Sequence, residues 1–159
     1  MARSREVPGL DCEEKFALAG ARVVEVRSAE VFEHAPGVLD LDDVERVHDM
    51  RVASRRLRAA LEVFGPCFPR KRHRRALKRV KALADALGER RDRDVSIEFL
   101  TGFLEAVPAA DRGRLEIRLA RLREEQEDAN ERLAPFVAEE RLDELRRALS
   151  RLAKAAKKT

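Results

Sequence analysis

The amino-acid sequence predicts an all-α protein, folded as an antiparallel helical bundle of about four main helices with a basic groove. Composition is the first reason, because Ala, Leu, Arg and Glu dominate a chain of 159 residues that has 7 Gly and 6 Pro. The second reason is that apolar residues recur at steps of three and four, which is the period of an amphipathic helix. Connections between these stretches are short, as they are between antiparallel neighbours. The length favours one domain over residues 1–159.

Turn residues bound the first two helices. Apolar spacing predicts the first over residues 11–33, before Pro36-Gly37. The second is expected to begin at a capping residue, Asp40 or Asp42, and to end at Gly65-Pro66. Its apolar stripe, the clearest in the chain, consists of Val47, Met50, Ala53, Leu57, Ala60, Leu61 and Phe64.

The third helix is predicted to start at Pro69, and its apolar stripe reaches Gly88. Beyond Gly88, residues 95–104 are interpreted as a buried helical segment that ends before Pro108. Gly88 either kinks this run or allows the close approach of a neighbouring helix, and the sequence leaves both interpretations open.

Two more helices follow Pro108. The fourth has an apolar seam that Pro135 is expected to kink or end. The seam consists of Leu115, Leu119, Leu122, Gln126, Ala129, Leu133 and Phe136. The last helix carries Leu142, Leu145, Leu149 and Leu152 on one face.

Charge is distributed unevenly along the chain. Lys and Arg number 34 against 30 Asp and Glu, for a net charge of +4. Residues 51–81 hold twelve basic residues and one acidic residue, Glu62, so the net charge of this stretch is +11 and that of the remainder is −7. A solvated surface normally mixes both signs, so this centre predicts an anionic partner.

Several classes of protein are excluded by what the sequence lacks. No run of 18 apolar residues predicts a membrane span, and residues 1–6 have no apolar stretch behind their charges, so we expect neither membrane insertion nor export. Cys12 and Cys67 form no CxxC pair, which favours a reducing cytosol over a zinc site or a disulfide framework. The chain has no Trp or Tyr, so it lacks the usual stacking residues of single-strand binders.

Two rows of basic residues are predicted on consecutive helices. At 100° per residue, His48, Arg51, Arg55 and Arg58 share a sector of about 80° that borders the apolar stripe of the second helix. Arg74, Lys78 and Lys81 recur on the third helix, with Arg70 one turn before them. Like charges at these spacings repel, so internal carboxylates or an anionic ligand must offset the repulsion. A groove between the rows would suit a phosphate-rich polyanion.

Two ordered motifs carry a family resemblance. Residues 48–64, HDMRVASRRLRAALEVF, resemble the HxxRVxxRRLRxxLxxF signature of the CHAD family, the conserved histidine α-helical domain. Residues 81–95, KALADALGERRDRDV, resemble the K…LGxxRDxDV stretch of the same family. Together the motifs cover about residues 44–104.

The resemblance implies an all-α domain whose basic surface binds inorganic polyphosphate, with no catalytic residue. The ligand contacts that it implies are His48, Arg51, Arg55, Arg58, Arg74, Lys78 and Lys81. Arg56, Arg70, His73 and Arg75 are additional candidates, although Arg56 projects away from the row. Arg91, Asp92 and Asp94 are interpreted as internal salt-bridge partners.

The chain departs from the family in size, because typical members resemble two helical bundles in tandem and only one copy of the first motif is present here. We therefore expect a homodimer in which two basic faces line one channel. Bound phosphate should also favour the protonated form of His48, so that binding tightens as the pH falls.

No metal or other cofactor is expected. Glu45 and His48 form one Glu-x-x-His element, whereas di-iron bundles need two such elements and further carboxylates. The family is often joined to a triphosphate tunnel domain with an ExExK pattern, but this sequence contains no ExExK, GxxxxGK[ST] or HExxH motif. Weak nonspecific nucleic-acid binding and docking of an acidic protein remain alternatives. The expected location is the cytoplasm, at polyphosphate granules.

Overall fold

The part of the chain that the structure describes contains five α-helices, which confirms the all-α prediction. The computed structural model describes residues 4–11 and 13–158. Residues 1–3 and Cys12, which were used in the predictions about export and cysteine chemistry, lie outside the described residues. The helices are α1 (Phe16–Glu33), α2 (Val44–Val63), α3 (Arg70–Ala106), α4 (Gly113–Val137) and α5 (Glu139–Ala156). Single 3₁₀ turns span Gly65–Cys67 and Ala109–Asp111, and the described residues contain no strand.

The helices pack as four columns, because α4 and α5 follow one another along the long α3. Arg132 Nε of α4 lies 3.4 Å from Glu89 Oε2 of α3. Arg79 Nη2, nearer the start of α3, lies 3.5 Å from Glu144 Oε2 of α5. α5 in turn packs on α1, where Lys157 Nζ lies 2.8 Å from Glu25 Oε1. The columns are thus α1, α2, α3 and the α4–α5 pair, each antiparallel to the next.

The apolar stripes of α1, α2, α3 and α5 meet in one core, to which α4 contributes Leu133. Leu57 and Leu61 of α2, Leu87 of α3, and Leu149 and Leu152 of α5 are almost fully buried. Burial of this kind stabilises the fold by roughly 25 cal/mol for each Å² of apolar surface removed from water. This core draws on α1, α2, α3, α4 and α5 together.

Both early helices begin later than the sequence predicted. The backbone N–H of Glu13 donates to Asp11 Oδ1 and that of Glu14 donates to the Asp11 carbonyl oxygen, and α1 begins only at Phe16. The Asp42 backbone N–H likewise donates to Asp40 Oδ1. The prediction that Asp40 or Asp42 caps α2 is therefore wrong, since the N-cap position is held by Asp43. Short polar side chains that bond to nearby backbone compete with helix formation.

Gly88 lies inside an uninterrupted α3 of 37 residues. A Cβ added at Gly88 would meet Arg51 Nε at 3.8 Å, which is an ordinary van der Waals distance. The neighbour of Gly88 is therefore an arginine side chain, and no backbone of an adjacent helix comes close. Two helical segments were predicted on either side of Gly88 because glycine is a weak helix former. Tertiary packing overrides that preference.

The prediction that residues 95–104 are buried is wrong. Val95, Phe99 and Phe103 expose 47%, 73% and 48% of their surface. Arg51 of α2 lies beside Gly88, and α2 begins only seven residues before Arg51, so the last turns of α3 extend past its start. Arg118 and Leu122 of α4 pack beside Val95 and Phe99 there. This projecting end is called the α3 tip below and comprises residues 95–106.

The last two helices are close to prediction. The seam positions Leu119, Leu122, Gln126, Ala129 and Leu133 of α4 are buried, as are all four predicted leucines of α5. Pro135 lies in the last turn of α4, which ends two residues later. Phe136, the final predicted seam residue, is 40% exposed because the helix stops there. Among the described residues, no helix is both long and apolar enough to cross a membrane.

Candidate functional site

The predicted basic row of α2 lies at the surface next to α3. Arg55 is exposed, whereas His48, Arg51 and Arg58 are half-buried, because their positions border the apolar side of the helix. Within the described part of the chain, neither Arg51 nor Arg55 has a carboxylate oxygen within 4.0 Å, and His48 has no ion pair. The side chains of His48, Arg51 and Arg55 therefore reach the surface without a carboxylate partner.

Glu62 joins the row of α2 to the row of α3. Arg58 Nε lies 3.1 Å from Glu62 Oε1, and Lys81 Nζ of α3 lies 3.2 Å from the same oxygen. The hydrogen bond from Arg58, followed by that from Lys81, lowers the pKa of the Glu62 carboxyl below its ordinary value. The three side chains are each about two-fifths exposed, so these pairs add little to stability. The two ion pairs with Glu62 matter here because they show that Arg58 and Lys81 lie on one surface.

The remaining α3 residues of the predicted site continue this surface outward. Lys78 is exposed one turn before Lys81, and Arg74 is exposed two turns before it. A shallow depression is lined by Arg70, Lys71, Arg74, Arg75 and Lys78. We name the surface formed by His48, Arg51, Arg55, Arg58, Arg74, Lys78 and Lys81 the α2–α3 basic face. Arg70 lies at its outer end, at the first turn of α3.

The other candidate contacts lie elsewhere. Arg56 is half-buried on the side of α2 that is turned away from the row. His73 Nε2–H donates a hydrogen bond of 2.7 Å to the carbonyl oxygen of Leu61, since a carbonyl can only accept. The His73 ring also stacks on Phe68, with centroids 6.0 Å apart. His73 thus holds the connection between α2 and α3 together. Its Nε2 bonds to the backbone of Leu61 and is therefore not available to a bound anion.

The group around Asp94 divides into buried and exposed members. Asp94 is buried and accepts hydrogen bonds from Arg90 Nη1 and, at 2.6 Å, from Gln126 Nε2 of α4. Asp94 is thus an internal salt-bridge partner, as expected, but with Arg90 and not with Arg91. Asp92 is exposed, and neither Arg91 nor Asp92 has an ion pair within the described residues.

Arg90 is the residue at this junction that sequence reasoning missed. It is fully buried, and its Nε and Nη2 have no hydrogen-bond partner in the described structure. The signal was present, because Arg90 and Asp94 stand four residues apart on α3 and Gln126 interrupts an apolar seam. A polar residue in such a seam indicates a buried polar partner.

The Glu-x-x-His element on α2 has no metal-binding companions. Among residues 4–11 and 13–158, no group of three or more His, Cys, Asp or Glu side chains is placed to hold a metal ion. Cys67 is half-buried, and this burial raises the pKa of its thiol.

Comparison with protein families gives one match. The model of the family described as the CHAD domain matches residues 22–159, which is most of the chain. Neither the comparison with curated proteins nor that with solved structures finds a match.

Proposed function

The chain belongs to the CHAD family, and we propose that it binds inorganic polyphosphate along the α2–α3 basic face, without catalysing a reaction. The observation that carries the proposal is the shared contact of Arg58 and Lys81 with Glu62, because it brings cations from two helices to one surface. A phosphate chain lying along that surface would meet charges from both helices. The family resemblance points to the same ligand.

The chemistry of the face supports a phosphate ligand. Arg51 and Arg55 have no carboxylate nearby, so their guanidinium groups are available for paired hydrogen bonds to phosphate oxygens. Lys78 and Lys81 add compact charges, and His48 adds ring nitrogens that can hydrogen-bond to phosphate oxygens. The affinity should fall steeply with salt, because binding a polyanion releases its counterions.

Nucleic acid is the alternative that shares this phosphate chemistry. None of the seven residues of the face carries a benzene or indole ring on which a base would stack, which favours a ligand made of phosphate alone. An acidic protein is the other alternative. It would need apolar contacts beside the charges in order to bind tightly.

The test is a competition titration at two salt concentrations. Labelled long-chain polyphosphate is the probe, and duplex DNA, single-stranded RNA and ATP are the competitors. The label carries the signal because the chain has no Trp or Tyr. We expect tight binding that DNA and RNA fail to displace at equal phosphate concentration, and we expect Arg51→Ala with Arg55→Ala to abolish it.

The matched control is Arg114→Ala with Arg123→Ala, which removes the same charge from exposed positions of α4. These positions lie near the far end of the bundle, so binding should stay within about twofold of the parent, apart from the small effect of net charge. Equal competition by nucleic acid, or unchanged binding by the Arg51 and Arg55 variant, would contradict the proposal.

We also propose that two copies associate through the α3 tip. The rings of Phe99 and Phe103 stack there, with centroids 6.4 Å apart, and stay exposed to solvent. The α3 tip carries two acidic residues, Glu98 and Glu105, and no basic ones. Arg118 of the adjoining α4 lines a depression together with Val95 and Phe99. An apolar patch with opposite charges beside it is complementary to a second copy of itself under a two-fold axis.

This association would place the partner close to the basic face. Steps of three and four along α3 connect Lys78 and Lys81 with Val95, Phe99 and Phe103, so all five lie on one side of the helix. A copy that covers the apolar residues therefore lies beside the α2–α3 basic face.

A cytoplasmic location at polyphosphate granules is the prediction that accompanies binding of polyphosphate.

A further inference from the structure

A second cluster of arginines lies on the other flank of α3, facing α5. It lines a cleft of about 360 Å³ whose floor is formed by two alanines, Ala76 and Ala148. Its walls carry Arg72, Arg75 and Arg79 of α3 and Arg151 of α5. All four arginines are exposed. Arg72, Arg79 and Arg151 belong to neither family motif and were not predicted as contacts.

Few carboxylates lie close to the arginines of the cleft. Arg79 Nη2 lies 3.5 Å from Glu144 Oε2, and both side chains are about half exposed. Within the part of the chain that the structure describes, Arg72, Arg75 and Arg151 have no carboxylate oxygen within 4.0 Å. Arg72, Arg75 and Arg79 stand at spacings of three and four on one helix, where like charges repel. This arrangement favours the binding of an anion from solution.

The cleft and the α2–α3 basic face are continuous around α3. Arg75 lines the cleft and also the depression that contains Arg74 and Lys78. The first three turns of α3 thus present positive charge toward α2, toward solvent and toward α5. An α-helix with its side chains is only about 10–12 Å across, so a flexible polyanion needs little length to pass from one flank to the other.

We infer that the α3–α5 cleft is a second binding site for the phosphate chain, so that one long polyphosphate crosses α3 and contacts both flanks. The inference rests on the proposed function. Guanidinium groups are the side chains best shaped for paired bonds to phosphate oxygens, and the alanine floor leaves them room to turn inward. The cleft lining contains no aromatic residue, so it offers no stacking surface to a nucleobase.

The test compares a cleft variant with a charge-matched control. Arg72→Gln with Arg151→Gln removes two cleft charges and breaks no described ion pair. Arg114→Gln with Arg123→Gln removes two charges from exposed positions in the first half of α4. Each is titrated with long-chain polyphosphate and with tripolyphosphate over a series of salt concentrations, and circular dichroism with thermal melting checks that each remains folded.

We expect the cleft variant to bind long-chain polyphosphate about tenfold more weakly than the control. The slope of log affinity against log salt should fall by about 1.4, because each lost phosphate contact on a flexible single chain contributes about 0.7. Tripolyphosphate is too short to need both flanks, so its affinity should change less than about twofold. Arg72→Lys with Arg151→Lys keeps the charges and should restore most of the slope.

The outcomes separate the two proposals. If the parent fails to bind polyphosphate, both the proposed function and the cleft site are overturned. If the parent binds and the cleft variant matches the control in affinity and slope, only the cleft site is overturned. If duplex DNA or RNA at equal phosphate displaces the chain from the parent but not from the cleft variant, the cleft is a nucleic-acid site and the inference is again wrong.

Discussion

Glu62 is the residue that limits the charge of the α2–α3 basic face. It is the one acid within residues 51–81, and it contacts Arg58 and Lys81 at once. An incoming phosphate must compete with this carboxylate for both cations. The lowered pKa of Glu62 means that the carboxylate is ionised throughout the neutral range, so the competition persists there.

Glu62→Gln is therefore expected to tighten polyphosphate binding about fivefold at neutral pH, because it frees Arg58 and Lys81 and removes a repulsive charge. The advantage over the parent should persist above the lowered pKa of Glu62. It should vanish as the pH falls through that pKa, since Glu62 of the parent is then protonated as well. Titration of both proteins across pH checks this, with Glu127→Gln on the exposed side of α4 as control. An equal gain in the control would show a general charge effect.

His48 should give polyphosphate binding a second pH dependence. A protonated imidazole is attracted to phosphate, whereas a neutral imidazole carries no charge to attract it. We expect the affinity of the parent to rise about fivefold between mildly basic and mildly acidic buffer, and His48→Gln to flatten that rise. His34→Gln, at the end of α1 and off the basic face, is the control. A parent whose affinity does not change over this range would exclude a ligand role for His48.

At the scale of elements, the length of α3 organises the molecule. Its first half carries the basic residues between α2 and α5, its middle holds the buried Arg90–Asp94 pair, and its end forms the α3 tip. The helix runs through Gly88 without a break. Because glycine in a helix interior costs about 0.5–1 kcal/mol relative to alanine, this position keeps α3 below its attainable stability.

Gly88→Ala is expected to raise the free energy of unfolding by about 0.5–1 kcal/mol, because the added Cβ meets only Arg51 Nε at an ordinary distance. Thermal melting should show an increase of about 2–5 °C. Gly20→Ala is the contrasting variant, since its Cβ would lie 2.8 Å from Cδ1 of Phe64, and overpacking costs roughly 1–3 kcal/mol. Destabilisation by Gly88→Ala would indicate that α3 bends at this residue.

At the scale of the whole molecule, the bundle leaves its largest apolar exposure at one end. The α3 tip projects past the start of α2, and Phe99 is the most exposed of the large apolar residues described. An apolar patch of this kind on a charged protein usually marks an interaction surface. Self-association would cover it.

Sedimentation at micromolar concentration should therefore show a dimer, with and without polyphosphate. Phe99→Ser with Phe103→Ser should give a monomer with an unchanged melting temperature, because both side chains are exposed in the single chain. Ile117→Ser is the control, as Ile117 is also exposed but points away from α3. A parent that sediments as a monomer in both conditions would rule out the dimer.

The sequence by itself determined the features that depend on neighbouring residues. Periods of three and four specify which side of each helix is buried, so the leucines of α5 and the row from His48 to Arg58 could be located from the sequence. The two motifs likewise identified the family. Helix starts were less well predicted, because Asp11 and Asp40 form local turns that resemble caps.

The tertiary structure decided which faces meet. A helical projection gives the angle of a side chain but not the helix that lies opposite, so the sequence could not show that Glu62 binds both Arg58 and Lys81 or that His73 is held by Leu61. It also could not show that α4 and α5 lie in line along α3. That arrangement leaves the α3 tip uncovered and forms the arginine cleft, because burial depends on packing between segments far apart in the chain.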